Sequence, residues 1–502
     1  MAAGITGTKP CSAAKQGGKG TPRPNLVFIV VDDLGWGGFG PNNNAYDSTA
    51  LNREFIDVYP PDYTMAQAFD AAARATPTLS ELSARGTRFT SAYAVANVSS
   101  PSRAGMLTAC HQQRFGYYIN EEQSVGIPQS VKLMPQVLHE AGYATACIGK
   151  WHVGPETARA KGDCAEGHHP LDRGFDYYFG FNNSTSKYYD SQVLYRGREN
   201  VKADGYLTDE LTREAVGFIH RTAPTGKPFA IYLAYNAVHG PLSAPAPAVY
   251  RARFNSGSPM LDNYYVYLFA VDEGVRLVCD ELRRTGQADR TMIVFVSDNG
   301  APGTKIDVLP KNGPWRGFKG QTWQGAVRVP MFAFMPGGKA GVCDQIVSGI
   351  DIFPTFMDLA GVALPEGQVV DGRSLLPILK GDKKFTVRDH FVWMGQNAGC
   401  WGIYREKDQM TAPGGFMVRE GDWTLRYDTQ LKTFSLYDLR TDRGEQDDLA
   451  GKYPEKVTYM AGLFRRWYAQ MPQPAVWKQQ FWGGVEYWNA DRSRTDYINS
   501  DK

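Results

Sequence analysis

Two stretches of this 502-residue chain end in oxygen-bearing side chains directly after runs that read as buried strands. NLVFIVVDD, from Asn25, closes on Asp32 and Asp33; TMIVFVSDN, from Thr291, closes on Asp298 and Asn299. In an open α/β sheet, ligands gather beyond the carboxyl ends of the strands. Three carboxylates and an amide meeting there would offer oxygen ligands only, which suits a hard cation, Ca²⁺ or Mg²⁺, rather than zinc. Taken alone, either pair reads more simply as the cap of a following turn. Other strand ends carry cations and imidazoles. YATACIGKWHVG delivers Lys150 and His152, two apart and so on one face if the strand continues that far. FAIYLAYNAVHGP delivers His239, and WRGFKGQTWQGAVRVP brings Lys319 in a Gly-flanked loop and Arg328 just before another strand. Each of these also has an ordinary structural reading, which their joint recurrence at strand ends makes hard to sustain for all. NVSSPSRAGMLTA then sets Ser99 and Ser100 against Pro101, Ser102 and Arg103 at the start of a helical pattern. A metal ion beside Lys and Arg suits a tetrahedral oxyanion ester, whose charge grows during displacement. The nucleophile must sit at that metal, and an unactivated Ser hydroxyl is weak at neutral pH.

The elements that must position these groups alternate between short apolar runs and helical patterns, as in βαβ units around a largely parallel, buried sheet. TPTLSELSARG predicts a helix with Thr76 as N-cap, Pro77 at its first position and Gly86 past its end. TRFTSAYAV reads as one strand, LMPQVLHEAG as a helix, YATACIGKW as a strand, and Pro259 to Gly286 as a long helix. Near Lys384 the texture changes to aromatic strands, GDWTLRYD and TFSLYDL, followed by the helical PEKVTYMAGLFRRWYAQM. The expected organisation is a flexible leader over 1–24, an α/β catalytic domain over 25–383 and a smaller α+β subdomain over 384–502. Pro41 to Ala75 lacks a clear period, and we expect a connection there that either walls a substrate pocket or is solvated.

Composition narrows the partners. Lys and Arg total 54 against 52 Asp and Glu, a net charge of +2, so no global field favours nucleic acid or an acidic membrane. The longest apolar runs fall far short of the roughly 20 residues of a membrane helix. Seven cysteines, odd in number and widely spaced, form neither a disulfide framework nor a CxxC metal pattern; one or two bridges stay open. The leader lacks the apolar segment of a signal peptide.

Together these motifs resemble the type I sulfatases of the alkaline-phosphatase-like superfamily, in particular bacterial carbohydrate sulfatases. The family signature, Cys or Ser followed by any residue, Pro, Ser and Arg, stands here as Ser99-Ser100-Pro101-Ser102-Arg103. VDDLGWGG, GKWHVG, HPLDRGFDYYFGF, SDNG, RGFKGQTWQGAVRVP, DGRSLLPIL and LYDLRTDRGEQDDLA follow in family order. The resemblance implies a large, mainly parallel sheet sandwiched by helices and a sulfuric ester hydrolase acting on a sulfated carbohydrate, in the periplasm or outside the cell. It implies that Ser99 is converted by a sulfatase-maturing enzyme to Cα-formylglycine, whose hydrate is the nucleophile, with Pro101 and Arg103 read by that enzyme and Arg103 later holding the diol. Serine in this position is the form an anaerobic radical maturase processes, and also what a Cys→Ser replacement leaves. By the same resemblance Asp32, Asp33, Asp298, Asn299 and the oxygen at Ser99 bind Ca²⁺, while Lys150, Lys319 and His239 hold the sulfate. Asp298 takes the attacking proton, His239 protonates the departing alcohol, and His152 takes the remaining hydroxyl proton to release sulfate. Two departures stand out: Ala109 where the family often has Gly, and Gln324 where it commonly has Glu, expected to weaken a contact behind the site. The alternatives are a phosphonate monoester or phosphodiester hydrolase of the same superfamily, and a non-catalytic binder of sulfated glycans if Ser99 stays a serine.

Overall fold

The computed structural model describes residues 22–43, 65–157, 162–243, 246–256, 259–303, 312–397, 412–428, 433–472 and 474–476. In chain order the strands are β1 (Asn25–Val31), β2 (Thr87–Phe89), β3 (Ala92–Tyr93), β4 (Ala144–Lys150), β5 (Tyr177–Phe181), β6 (Leu194–Arg196), β7 (Glu199–Val201) and β8 (Phe229–Ala234). They continue with β9 (Thr291–Ser297), β10 (Met331–Phe334), β11 (Gly341–Cys343), β12 (Val347–Ser348), β13 (His390–Asn397), β14 (Ala412–Glu420), β15 (Trp423–Asp428) and β16 (Thr433–Asp438).

Among the described residues, ten strands form one sheet in the order β11-β2-β10-β9-β1-β8-β4-β5-β6-β7. Its centre, β9-β1-β8-β4-β5, is parallel. β10 runs antiparallel to β9, and β6 antiparallel to β5, so the sheet is mixed but mainly parallel, as expected. The pleat explains why the central runs are apolar throughout. Leu26, Phe28 and Val30 of β1 enter one core, and Val27, Ile29 and Val31 enter the other. The helices Leu207–Thr222 and Pro259–Arg284 cover one face. Ser99–Thr108, Met134–Glu140 and Ile352–Ala360 cover the opposite face. β13 to β16 form a separate antiparallel sheet, whose apolar side packs on the helix Pro454–Tyr468 through Val392, Phe416, Val418 and Leu425. Trp393 Nε1 donates to Ala94 O at 2.8 Å, across the seam between this sheet and the chain just after β3.

Several local expectations change. TRFTSAYAV is not one strand: β2 joins the large sheet, whereas β3 pairs with β12 in a two-stranded sheet. Thr76 does not cap the Pro77–Arg85 helix with its side chain; its hydroxyl donates to Ala72 O, and the first helical amides, Thr78 N and Leu79 N, donate to the Asp272 carboxylate. Within Pro41 to Ala75, Met65–Ala75 is a helix; the residues between 43 and 65 lie outside those described. Most of the leader also lies outside them, while Pro24 O accepts from Tyr143 Oη at 3.0 Å. Cys110, Cys147, Cys164, Cys279 and Cys343 are free thiols; Cys11 and Cys400 fall outside the described residues. None of the described helices is long and apolar enough to cross a membrane.

Candidate active site

Parallel pairing brings the carboxyl ends of β9, β1, β8 and β4 to one edge of the sheet. Gly149 makes the approach of β4 possible: its φ is +105°, and a Cβ there would lie 1.9 Å from Ala234 O. Asp32 continues the strand pairing beyond β1, donating its amide to Ala237 O and accepting from Val238 N. Asp33 then turns with a left-handed φ of 62°, and its amide donates to Asp298 Oδ1 at 3.2 Å. Ser297 Oγ accepts from Leu34 N at 2.9 Å, tying the turn after β1 to the end of β9.

The Ser99–Thr108 helix starts against this edge. Ser99 Oγ lies 3.3 Å from Asp32 Oδ1 and 3.1 Å from Asn299 Oδ1, and Lys319 Nζ donates toward it at 3.4 Å. Lys150 Nζ binds Asp32 Oδ2 at 2.7 Å; Lys319 Nζ and Asn299 Nδ2 converge on Asp33 Oδ1 at 2.6 and 2.7 Å. Arg103 is fully buried and grips Asp298 Oδ2 through Nε at 2.9 Å and Nη2 at 2.8 Å, with Nη1 on Lys150 O. His239 Nε2 stands 3.5 Å from Asp33 Oδ2, and its ring is 23% exposed, so it faces the open side. Nδ1 of the same ring lies 2.7 Å from Gly240 O.

Asp32, Asp33, Ser99, Arg103, Lys150, His239, Asp298, Asn299 and Lys319 therefore form one connected cluster. His152 joins it differently. β4 ends at Lys150 and His152 has a left-handed φ of 58°, so the alternation of a continuing strand does not place it; instead Ser100 Oγ donates to its carbonyl, and its buried Nδ1 has no partner. Arg328 stands outside the cluster, bound to Thr90 O and Ser91 Oγ. Gln324 also stands apart: Tyr93 Oη donates to its Oε1, and its Nε2 lies near Thr424 and Met417 of the C-terminal sheet. The expected contact behind the site is thus a seam contact. Sequence reasoning did not foresee the contact of Tyr188 with the site: its hydroxyl donates to His239 O at 2.9 Å while its ring stacks on Tyr206. In the same loop region, Arg196 and Arg198 are paired with Glu214 and Asp172.

Charge is balanced at close quarters. Burial opposes ionisation of Asp32, but Lys150, His239 and Arg103 hold its carboxyl below the ordinary range. Burial is likewise outweighed at Asp33 by Lys319 and His239. Burial pulls Lys150 down despite Asp32, whereas the carboxylates hold Lys319 above its ordinary value against burial. His152 is pulled well down by burial, helped by Lys150 and Arg103, so its imidazole is neutral.

The donor set fits a hard cation. Asp32 Oδ1, Ser99 Oγ and Asn299 Oδ1 face one another with a single hydroxyl proton among them, and Asp32, Asp33 and His239 offer atoms within 4.8 Å of one another. The described residues bring no thiolate into this cluster.

This sheet, its flanking helices and the small C-terminal sheet give the protein an alkaline-phosphatase-like α/β fold. Residues 24–362 match the family model for Sulfatase, and residues 316–463 match that for the C-terminal part of N-sulphoglucosamine sulphohydrolase. The chain belongs to the sulfatase family and is a sulfuric ester hydrolase. It is 36% identical to the uncharacterized sulfatase YdeN of Escherichia coli (strain K12), over 91% of this chain and 88% of that protein. It is 32% identical to N-acetylgalactosamine-6-sulfatase of Sus scrofa, over 78% of this chain and 73% of that one. Among solved structures, Ps i-CgsB in complex with k-i-k-neocarrahexaose aligns with a TM-score of 0.74 at 27% identity, covering 94% of this chain and 98% of that one.

Proposed function

We propose that the protein removes an O-sulfate from a sulfated carbohydrate through a formylglycine formed from Ser99. The observation that carries this reading is the position of Ser99 Oγ, between Asp32, Asn299 and Lys319 within an acid-rich cluster. Asp32, Asp33, Asp298 and Asn299, with the oxygen at position 99, would hold Ca²⁺, which when bound supplies Lewis-acid polarisation of the sulfate oxygens. The hydrated aldehyde supplies what serine lacks, a second hydroxyl through which the adduct collapses. Lys150 and Lys319 bring positive charge to the equatorial oxygens. Asp298 is positioned by Arg103 and takes a proton from the attacking hydroxyl. His239, on the exposed side of the cluster, gives its proton to the departing sugar oxygen. His152, neutral and buried with a free Nδ1, accepts the last hydroxyl proton.

Ser99, Ser100, Ser102 and Arg103 are all buried, so a maturing enzyme must read the signature before the fold closes. The names of the relatives support galactose-type sugars sulfated on a hydroxyl, and the family supports the periplasm or cell surface as the place of action. The test is sulfate release by protein matured with a sulfatase maturase. Release from 6-O-sulfated N-acetylgalactosamine or a carrageenan oligosaccharide is expected. No release from any sulfated glycan, with turnover of a phosphonate monoester instead, would overturn the reading.

A further inference from the structure

At the seam between the two sheets lies a cavity of about 860 Å³ that the catalytic cluster does not use, within the size range of ligand sites. Its deep wall holds two buried guanidiniums, Arg328 at 6% exposure and Arg419 at 4%. Arg328 lies 3.6 Å over the Trp315 ring, donates through Nε to Thr90 O and through Nη2 to Ser91 Oγ, and forms no ion pair among the described residues. Arg419 has one long contact, 3.4 Å from Nη2 to the exposed Asp422, and its buried Nε and Nη1 have no partner. Two cations side by side in a low-dielectric wall are costly unless an anion completes the site, and the buried carboxyl nearest them, Glu445, is pushed up to about 8 by its own burial and so keeps its proton at neutral pH. Burial, with Arg419 and Arg443 nearby, pulls Arg328 down to about 10. The acids at the mouth do not fill the gap: Asp344, Asp389 and Asp422 are exposed, and Glu420 pairs with Lys456.

We infer that this cavity is a second, non-catalytic site for an oxyanion group, sulfate or carboxylate, carried on an acidic saccharide chain, with Arg328 and Arg419 at its floor and Arg440 at its rim. Trp423, half-buried in the lining, offers aromatic surface to the sugar. Guanidiniums are suited to planar and tetrahedral oxyanions, and charge-assisted bonds in a buried wall are strong. The choice of a saccharide over a free anion rests on the function proposed above; the anion site itself rests only on the cavity and its arginines.

The test is calorimetric titration of the full-length protein with a chondroitin 6-sulfate hexasaccharide and, separately, with sodium sulfate. Arg419→Gln is expected to weaken hexasaccharide binding about tenfold or more, and Arg440→Gln severalfold, with turnover of a small aryl sulfate unchanged in both. Should Arg419→Gln fail to fold, the exposed Arg440→Gln decides. Hexasaccharide affinity unaltered in folded variants would overturn the site. Sodium sulfate binding the cavity as tightly as the hexasaccharide would overturn its assignment to a saccharide. Loss of binding in Arg419→Gln alongside a wild type that releases no sulfate would support the cavity and sink the catalytic reading separately.

Discussion

At the scale of single residues, the roles of the cations and imidazoles separate by experiment. Lys319 touches both Asp33 and Ser99 from a partly exposed loop, so Lys319→Ala should lower kcat/KM about 10²- to 10³-fold with little change in Tm. A loss confined to KM would mean that the lysine only gathers substrate. His239 is the group for which leaving-group chemistry discriminates. If it protonates the departing oxygen, His239→Ala should slow a sugar sulfate by about 10² or more, and a nitrophenyl sulfate, whose phenolate leaves unaided, by far less. Equal losses on both substrates would contradict the acid role. Much of this cluster was legible in the sequence, because Asp32, Asp33, Lys150, Asp298 and Asn299 each follow an apolar run whose end fixes where they lie. The contact of Tyr188 was not legible. Tyr188 and Tyr189 stand side by side in a polar loop with nothing local to tell them apart, and only the return of the His239 turn gives the Tyr188 hydroxyl its partner.

At the scale of elements, the two ends of the short helices and strands around the site carry the strain. Ala109 closes the Ser99–Thr108 helix with a left-handed φ of 59°, a conformation glycine adopts at no cost and other residues at about 1 kcal/mol. Ala109→Gly should therefore stabilise the protein by about that amount in denaturant titrations; a destabilised variant would show that the buried methyl group packs to greater advantage. Gly149 is the opposite case. Any side chain there collides with Ala234 O, so Gly149→Ala should separate β4 from β8, cost about 3 kcal/mol or more, and displace Lys150. Thermal unfolding near the wild-type temperature would refute that expectation. Periodicity recovered the long apolar strands and the helix Pro259–Arg284 because burial on one or two faces writes itself into composition. It failed at Thr87–Tyr93, where two short strands join different sheets, and at Thr76, whose capping role passes to Asp272 from another element. Long-range contacts of that kind leave no local pattern.

At the scale of the whole molecule, buried titrating groups set how stability responds to pH. Burial pushes Glu122 and Glu445 up from 4.5 to about 8. Between those values the folded chain keeps protons that the unfolded chain has lost, so stability falls as pH rises through the window. His111 acts in the reverse sense. Burial pulls it down from 6.5 to about 4, the unfolded chain binds the extra proton in that interval, and stability rises with pH there. Above pH 6.5 only the two carboxyls of these three groups still contribute, so Tm should fall toward pH 8. Glu445→Gln keeps an oxygen for Gln324 N and should recover about 1–2 kcal/mol near pH 8. An unchanged pH slope in that variant would show that Glu445 ionises freely in the folded chain. Glu445 lies in the stretch LYDLRTDRGEQDDLA, and the bond from Gln324 N to its carboxyl at the seam gives that stretch a structural reason.

The central claim, that Ser99 is a precursor rather than a working serine, is tested most directly by the mass of the tryptic peptide Phe89 to Arg103 from protein made with and without a sulfatase maturase. The expected result is the loss of two hydrogens at Ser99 with the maturase, together with reactivity toward a hydrazide and the appearance of sulfate release. An unaltered serine in matured protein that nonetheless releases sulfate would contradict the claim.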